Sequence, residues 1–246
     1  MFWGYEVSDD LQSWIAESFL WAADKRLLTQ DTPLILPTKA FFTAPGGSTP
    51  DTAQALVADI LRHLNMADAV LHVAPLDKLP AEYRLDYDAL GDTAGTWQAD
   101  AAQSLVRYDP ALFHRPLSLI STLVHEVMHH VLHLQVDVSA MPGGPQAEEL
   151  STDLHCITTG FGVIEIAGSE QAGWQGYMTQ PSRAHALALF LRARGLDAPT
   201  TLAALPPRSA KYLRRALKYL DKTPHDVDLV RAALTSSPGN AAGRPA

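Results

Sequence analysis

The sequence predicts an α+β fold that is mainly helical, with a small β-sheet placed before its most histidine-rich helix. Three observations carry this. Two short runs, AVLHVAPL at 69–76 and SLVRYD at 104–109, read as strands. Apolar residues recur at helical spacing through most of the chain after residue 116. Stretches rich in proline and glycine separate these pieces.

The elements follow in order. Residues 9–29 form a first helix, through Leu11, Trp14, Ile15, Phe19, Leu20, Ala23 and Leu27. Pro33, Pro37, Pro45, Gly46, Gly47 and Pro50 make the next stretch irregular. Asp51 is placed to cap a second helix over 51–65. The strand at 69–76 comes next, and the segment 86–103, rich in Gly, Asp, Ala and Thr, reads as turns around Trp97. After the strand at 104–109, Pro110 ends the run, and Pro116 opens a helix to about residue 134. A loop, QVDVSAMPGGPQ, leads to a helix over 147–159 that Gly160 closes. Further helices are expected over 184–194, 208–220 and 224–234. These pieces make one domain over 1–234, its sheet within about 69–109 and its helical part over 116–234, with 235–246 as a disordered tail.

Composition narrows the class. Hydrophobic residues are 47% and charged residues 19%, as in globular proteins. The formal net charge of -8 argues against nucleic acid as the partner. The single cysteine, Cys156, excludes a disulfide framework and a cysteine-based zinc knuckle, and gets no role. MFWGYEVSDD lacks a basic region followed by an apolar run, and no stretch is apolar enough to span a membrane. A cytoplasmic protein without a membrane partner is the expectation.

The chemistry concentrates in LVHEVMHHVLHLQ at 123–135. His125-Glu126-Val127-Met128-His129 is an HExxH motif. Residues four apart share one helix face about 6 Å apart, so His125 and His129 can offer imidazole nitrogens to one zinc ion. Glu126 can reach a water on that metal without being a ligand. The plain alternative is a helix whose histidines pack in the core or face solvent. A catalytic zinc needs a third protein ligand and an open fourth position. Glu149 and Asp153, in EELSTDL, share a face of the next helix. Glu149 would complete a two-histidine, one-glutamate site. Asp153 would remain to accept the other ring N–H of a ligand histidine.

HExxH, nineteen intervening residues and ExxxD resembles the gluzincin metallopeptidases, the thermolysin-like branch of the zincins. The resemblance covers residues 123–155. It implies a zincin-like fold, His125, His129 and Glu149 as zinc ligands, Glu126 as general base, and Asp153 as the aspartate that orients His125. Gly160-Phe161-Gly162 extends a likeness to bacterial proteins that share the motif, and that likeness names no substrate. The metzincin branch is excluded, because it needs glycine at 132 and histidine at 135 where this chain has Leu132 and Gln135.

Other residues need placing. His130 reads as structural or surface. His133 reads as packed, solvated or a surplus ligand. Glu148 competes with Glu149 for the metal, and His155 lies beyond the matched face. An oxyanion formed by attack of water needs a donor beside the metal. Tyr177, Arg183 and His185, in GYMTQPSRAHALALF, are the candidates, and in this branch a tyrosine or histidine does the work. The resemblance to zincins also implies that the strand SLVRYD lies at the sheet edge, where a peptide can add as a strand. The loop 135–147 reads as a lid hinged at Gly143 and Gly144, or as a plain connector. Arg208, Lys211, Arg214, Arg215, Lys218 and Lys222 form a basic stripe that reads as a solvated face.

The expected function is zinc-dependent hydrolysis of a peptide or protein substrate. Two other readings stay open: an amidase acting on a small molecule or modified peptide, and a binding or regulatory domain with a structural zinc. A fourth protein ligand such as His133 or His155 would close the metal and favour the last.

Overall fold

The computed structural model describes residues 5–76, 95–99, 104–135, 140–173 and 176–236. Within them the protein is α+β and mainly helical, with one three-stranded sheet.

Helix α1 (Asp9–Asp24) starts at Ser8, whose side chain accepts from the Leu11 amide. It stops short of residue 29 because Arg26 adopts φ 60, and the amides of Leu27 and Leu28 both return to the Ala22 carbonyl. Helix α2 (Pro50–His63) is capped by the Thr49 side chain, with Pro50 at its first turn. Asp51 therefore lies inside the helix, where its charge favours the N-terminus.

The sheet consists of β1 (Leu71–Pro75), β2 (Gly95–Ala99) and β3 (Ser104–Tyr108), in the order β1-β3-β2. Strand β1 runs parallel to β3 and β2 antiparallel to it. The expected edge strand, β3, is thus central, with its backbone bonded on both sides. Strand β2, in a segment expected to form turns, takes the edge among the described residues.

A 3-10 turn at Pro110–His114 leads into α3 (Pro116–Gln135), the helix of the HExxH motif. Leu123, Val124, Val127, Met128, Val131 and Leu132 are all at most 1% exposed. Each such burial is worth about 1.5–3 kcal/mol, so α3 is anchored along its length. A short 3-10 turn precedes α4 (Glu148–Cys156), and a π turn at Ile157–Phe161 joins it to α5 (Gly162–Gln171). Gly160, at φ 99, breaks the helical backbone inside that π turn rather than directly at the end of α4. It also admits the Pro33 carbonyl to a distance that a side chain would block, and its own carbonyl accepts from the Ile35 amide at 2.9 Å.

Helices α6 (Gln180–Arg194), α7 (Ala198–Ala204), α8 (Pro207–Leu220) and α9 (His225–Ser236) follow. Two apolar clusters form. One joins α1, α4, α5, α6, α8 and α9 through Phe19, Leu154, Val163, Phe190, Leu213 and Val230. The other joins α2, the sheet and α3 through Val57, Ile60, Val106, Leu123 and Met128. Helices α4 and α5 supply both clusters, through Leu154 and Val163 to one and Cys156 and Ile164 to the other. The basic stripe is exposed, and Arg215 pairs with Glu6 at 2.7 Å. Among the described residues no helix is long and apolar enough to cross a membrane. The expected tail falls largely on residues 237–246, outside the described residues.

Candidate metal centre

Helix α3 sets His125 and His129 one turn apart with their Nε2 atoms 3.2 Å from each other. Helix α4 brings Glu149 across, its Oε2 3.2 Å from Nε2 of His125 and 3.3 Å from Nε2 of His129. Three atoms of ligand type thus converge on one point. Ligands bound tetrahedrally to zinc at about 2.0–2.1 Å stand roughly 3.3 Å apart, so the donor set and its spacing fit that ion. Glu148 does not join this point. Its Oε1 sits 2.7 Å from Nε2 of His133 and 3.7 Å from Nδ1 of His129.

Behind the triad, Nδ1 of His125 donates to Oδ1 of Asp153 at 3.0 Å. Oδ2 of Asp153 accepts from Nη2 of Arg183 at 2.7 Å and from the amides of Tyr177 and Met178 at 2.8 and 2.9 Å. Asp153 and Arg183 are each only 2% exposed. Burial works against the Asp153 carboxylate, yet the bond from His125 and the Arg183 guanidinium hold it well below the usual carboxylate range.

The same contacts act on His125. Burial pulls its pKa down, but the bonds to Asp153 and Glu149 outweigh that and lift it to about 10. His129 moves the other way, lowered by burial and by the neighbouring His125. Glu149 is lowered, first by its bond from His125. A dication bound at this point displaces the proton that the carboxylates hold on His125.

Glu126 is 6% exposed and touches β2. A Cβ on Gly95 would stand 2.9 Å from Oε1 of Glu126 and 2.6 Å from Cγ2 of Thr122. The bare backbone of Gly95 is what leaves room for the carboxyl. Burial raises the Glu126 pKa to about 7, against the lowering effect of His125.

Two aromatic rings flank the triad. Tyr177 lies 6.3 Å from the His125 ring at 16°, is 61% exposed, and has its phenol pKa raised by burial and by Glu149. Trp97, from β2, stacks on His133 at 4.9 Å and lies parallel to His129 at 6.4 Å.

The other expected donors lie elsewhere. Arg183 is turned to Asp153 behind the triad. His185 lies two positions further on α6, about 200° round the helix, and its Nδ1 is 2.6 Å from the Tyr5 hydroxyl. It packs by Tyr219 with burial lowering its pKa to about 4, so it does not flank the triad as Tyr177 does. His155 is fully buried against Trp21 and Thr158, which removes it as a ligand to this point. His130 is buried edge-on to Trp97. Part of the expected lid, residues 136–139, lies outside the described residues. Beyond it Met141 is buried, and Nε1 of Trp14 donates to the Pro142 carbonyl at 3.0 Å, which ties that end of the loop to α1.

Sequence reasoning missed Gly95 and Trp97 as parts of the site, and the bracing role of Arg183. Helix α6 also carries Gln180, Ser182, His185, Arg192 and Arg194, so no local signal set Arg183 apart in the sequence. Comparison with protein-family models, with curated proteins and with solved structures finds no match.

Proposed function

We propose that this chain is a zinc-dependent hydrolase of the zincin type, cleaving peptide bonds. The observation that supports it most is the convergence of His125, His129 and Glu149 at 3.2–3.3 Å, with a buried carboxyl, Glu126, one residue from the first ligand. His125, His129 and Glu149 would hold the ion. Zinc at such a site lowers the pKa of a water toward 7 and polarises a carbonyl.

The residues of the chain divide the remaining work. Glu126, with a pKa near 7, is suited to take a proton at its carboxylate and return it to a leaving amine at neutral pH. Asp153 fixes the His125 ring through Nδ1 and leaves Nε2 for the metal. Tyr177 supplies the O–H donor for the developing oxyanion from the open side. The outer edge of β2, which pairs with no other strand among the described residues and lies beside Glu126, is where an extended peptide adds as a strand. A purely structural zinc has no use for Glu126.

The test joins metal content to turnover. Elemental analysis of the wild type should give about one zinc per chain, lost in His129→Ala and Glu149→Ala. Glu126→Gln should keep the metal and lose roughly 10²–10⁴-fold in peptide hydrolysis. A wild type that takes up no zinc ends the hydrolase reading, and full activity in Glu126→Gln ends the mechanism.

A further inference from the structure

Helices α3 and α4 repeat the ligand pattern one step outward. His129, His133 and Glu148 each bring a ligand atom within 4.8 Å of the others. The relation to the inner triad is a shift of register. Four residues forward on α3 and one back on α4 convert His125, His129 and Glu149 into His129, His133 and Glu148.

The outer group is partly assembled. Oε1 of Glu148 is bonded to Nε2 of His133 at 2.7 Å and lies 3.7 Å from Nδ1 of His129, near both rings. Trp97 stacks on the His133 imidazole at 4.9 Å and lies parallel to that of His129 at 6.4 Å. The side chains of His133 and Glu148 are 34% and 33% exposed, against 11% for His129. A hydrated ion reaches them without opening the core, and neither is used by the inner triad.

We propose that the outer triad is a second, weaker site for a divalent transition-metal ion such as zinc, whose borderline softness suits imidazole and carboxylate together. His133 and Glu148 are its firm ligands, with water completing the shell. His129 is the shared member. Its Nε2 faces the inner point and its Nδ1 the outer one, and an imidazole binds through both nitrogens only after losing its last ring proton. The outer site is therefore the weaker, and filling it draws on a ligand of the inner site.

The experiment is calorimetric titration of Zn²⁺ into the metal-stripped full chain, for the wild type, His133→Ala, Glu148→Gln and Glu149→Ala. The wild type should show a tight phase and a second phase at least roughly tenfold weaker. His133→Ala and Glu148→Gln should lose the weak phase and keep the tight one. Glu149→Ala should lose the tight phase and keep the weak one. A weak phase that is absent from the wild type, or unchanged in both His133→Ala and Glu148→Gln, overturns the proposal. A tight phase that is absent while a His133-dependent phase remains supports it, and sinks the inner-site reading instead. All three altered residues are partly exposed, and circular dichroism of each variant separates loss of a ligand from loss of the fold.

Discussion

His125 and His129 present the same atom to the same point from one face of α3, yet their surroundings differ. The far nitrogen of His125 meets Asp153, a carboxylate held by a buried guanidinium and two backbone amides. The far nitrogen of His129 meets Oγ1 of Thr152 at 3.5 Å and, further off, Glu148. Thr152 gives its proton to the Glu148 carbonyl at 2.9 Å and so offers His129 only an acceptor. One ring is braced by a closed ionic network. The other is held by a hydroxyl and by a half-exposed carboxylate that also serves His133. The contrast teaches that rigidity at this centre is concentrated on the side facing α6, and adjustability on the side facing solvent.

The strongest way to break the contrast is to remove its rigid half. Asp153→Ala removes the buried carboxylate that pairs with Arg183 and His125, which should cost about 3–5 kcal/mol in denaturant unfolding of the metal-free protein. A cost no larger than that of a surface mutation would show that the network does not brace the site. Gly95→Ala should come next. The added methyl meets Thr122 and Glu126, at about 1–3 kcal/mol for overpacking. Because the displaced group is the proposed base, turnover should fall further than stability, with zinc content unchanged. Normal turnover in Gly95→Ala would mean that Glu126 has room to spare.

A pH series sharpens the contrast without mutation. The folded pKa of His125 is raised, to about 10, above an unfolded value near 6.5. Its contribution to the metal-free protein is therefore fully present below about pH 6.5 and is lost as pH rises toward 10. The melting temperature of the metal-free wild type should fall over that window. With zinc bound the His125 proton is already gone, so the decline should flatten. An equal slope with and without zinc would exclude His125 as a ligand. The smallest effect is expected on the loose side. Thr152→Val should cost about 0.5–1.5 kcal/mol and reduce zinc affinity less than Asp153→Ala does. The reverse order would overturn the comparison.

Much of the centre was legible in the sequence because its spacing is helical. HExxH and ExxxD each lie within one continuous helix, so the pairs within α3 and within α4 follow from about 3.6 residues per turn. What escaped depends on contacts between elements. GTWQA forms β2 through its pairing with β3, and its alternation spans only five residues inside a stretch rich in Gly, Asp, Ala and Thr that reads as turns. GVIEIAGSEQ forms α5 with every residue from Gly162 to Ser169 buried, so it lacks the polar face that marks a helix in sequence. His185 is a donor candidate by residue type within GYMTQPSRAHALALF, but its position on α6 turns it to Tyr5. The start of α2 shows the same limit locally: Thr49 and Asp51 both suit a cap, and Pro50 at the first turn favours the residue before it.

The Asp153 carboxylate has a consequence that reaches the surface. It accepts the amides of Tyr177 and Met178, while Tyr177 itself is largely exposed. An amide at an exposed position ordinarily exchanges its hydrogen with solvent through local fraying. Here exchange requires Oδ2 of Asp153 to release it, and that release loosens the brace on His125. Deuterium uptake at these two amides therefore reports the integrity of the centre directly, with neither substrate nor metal in the tube.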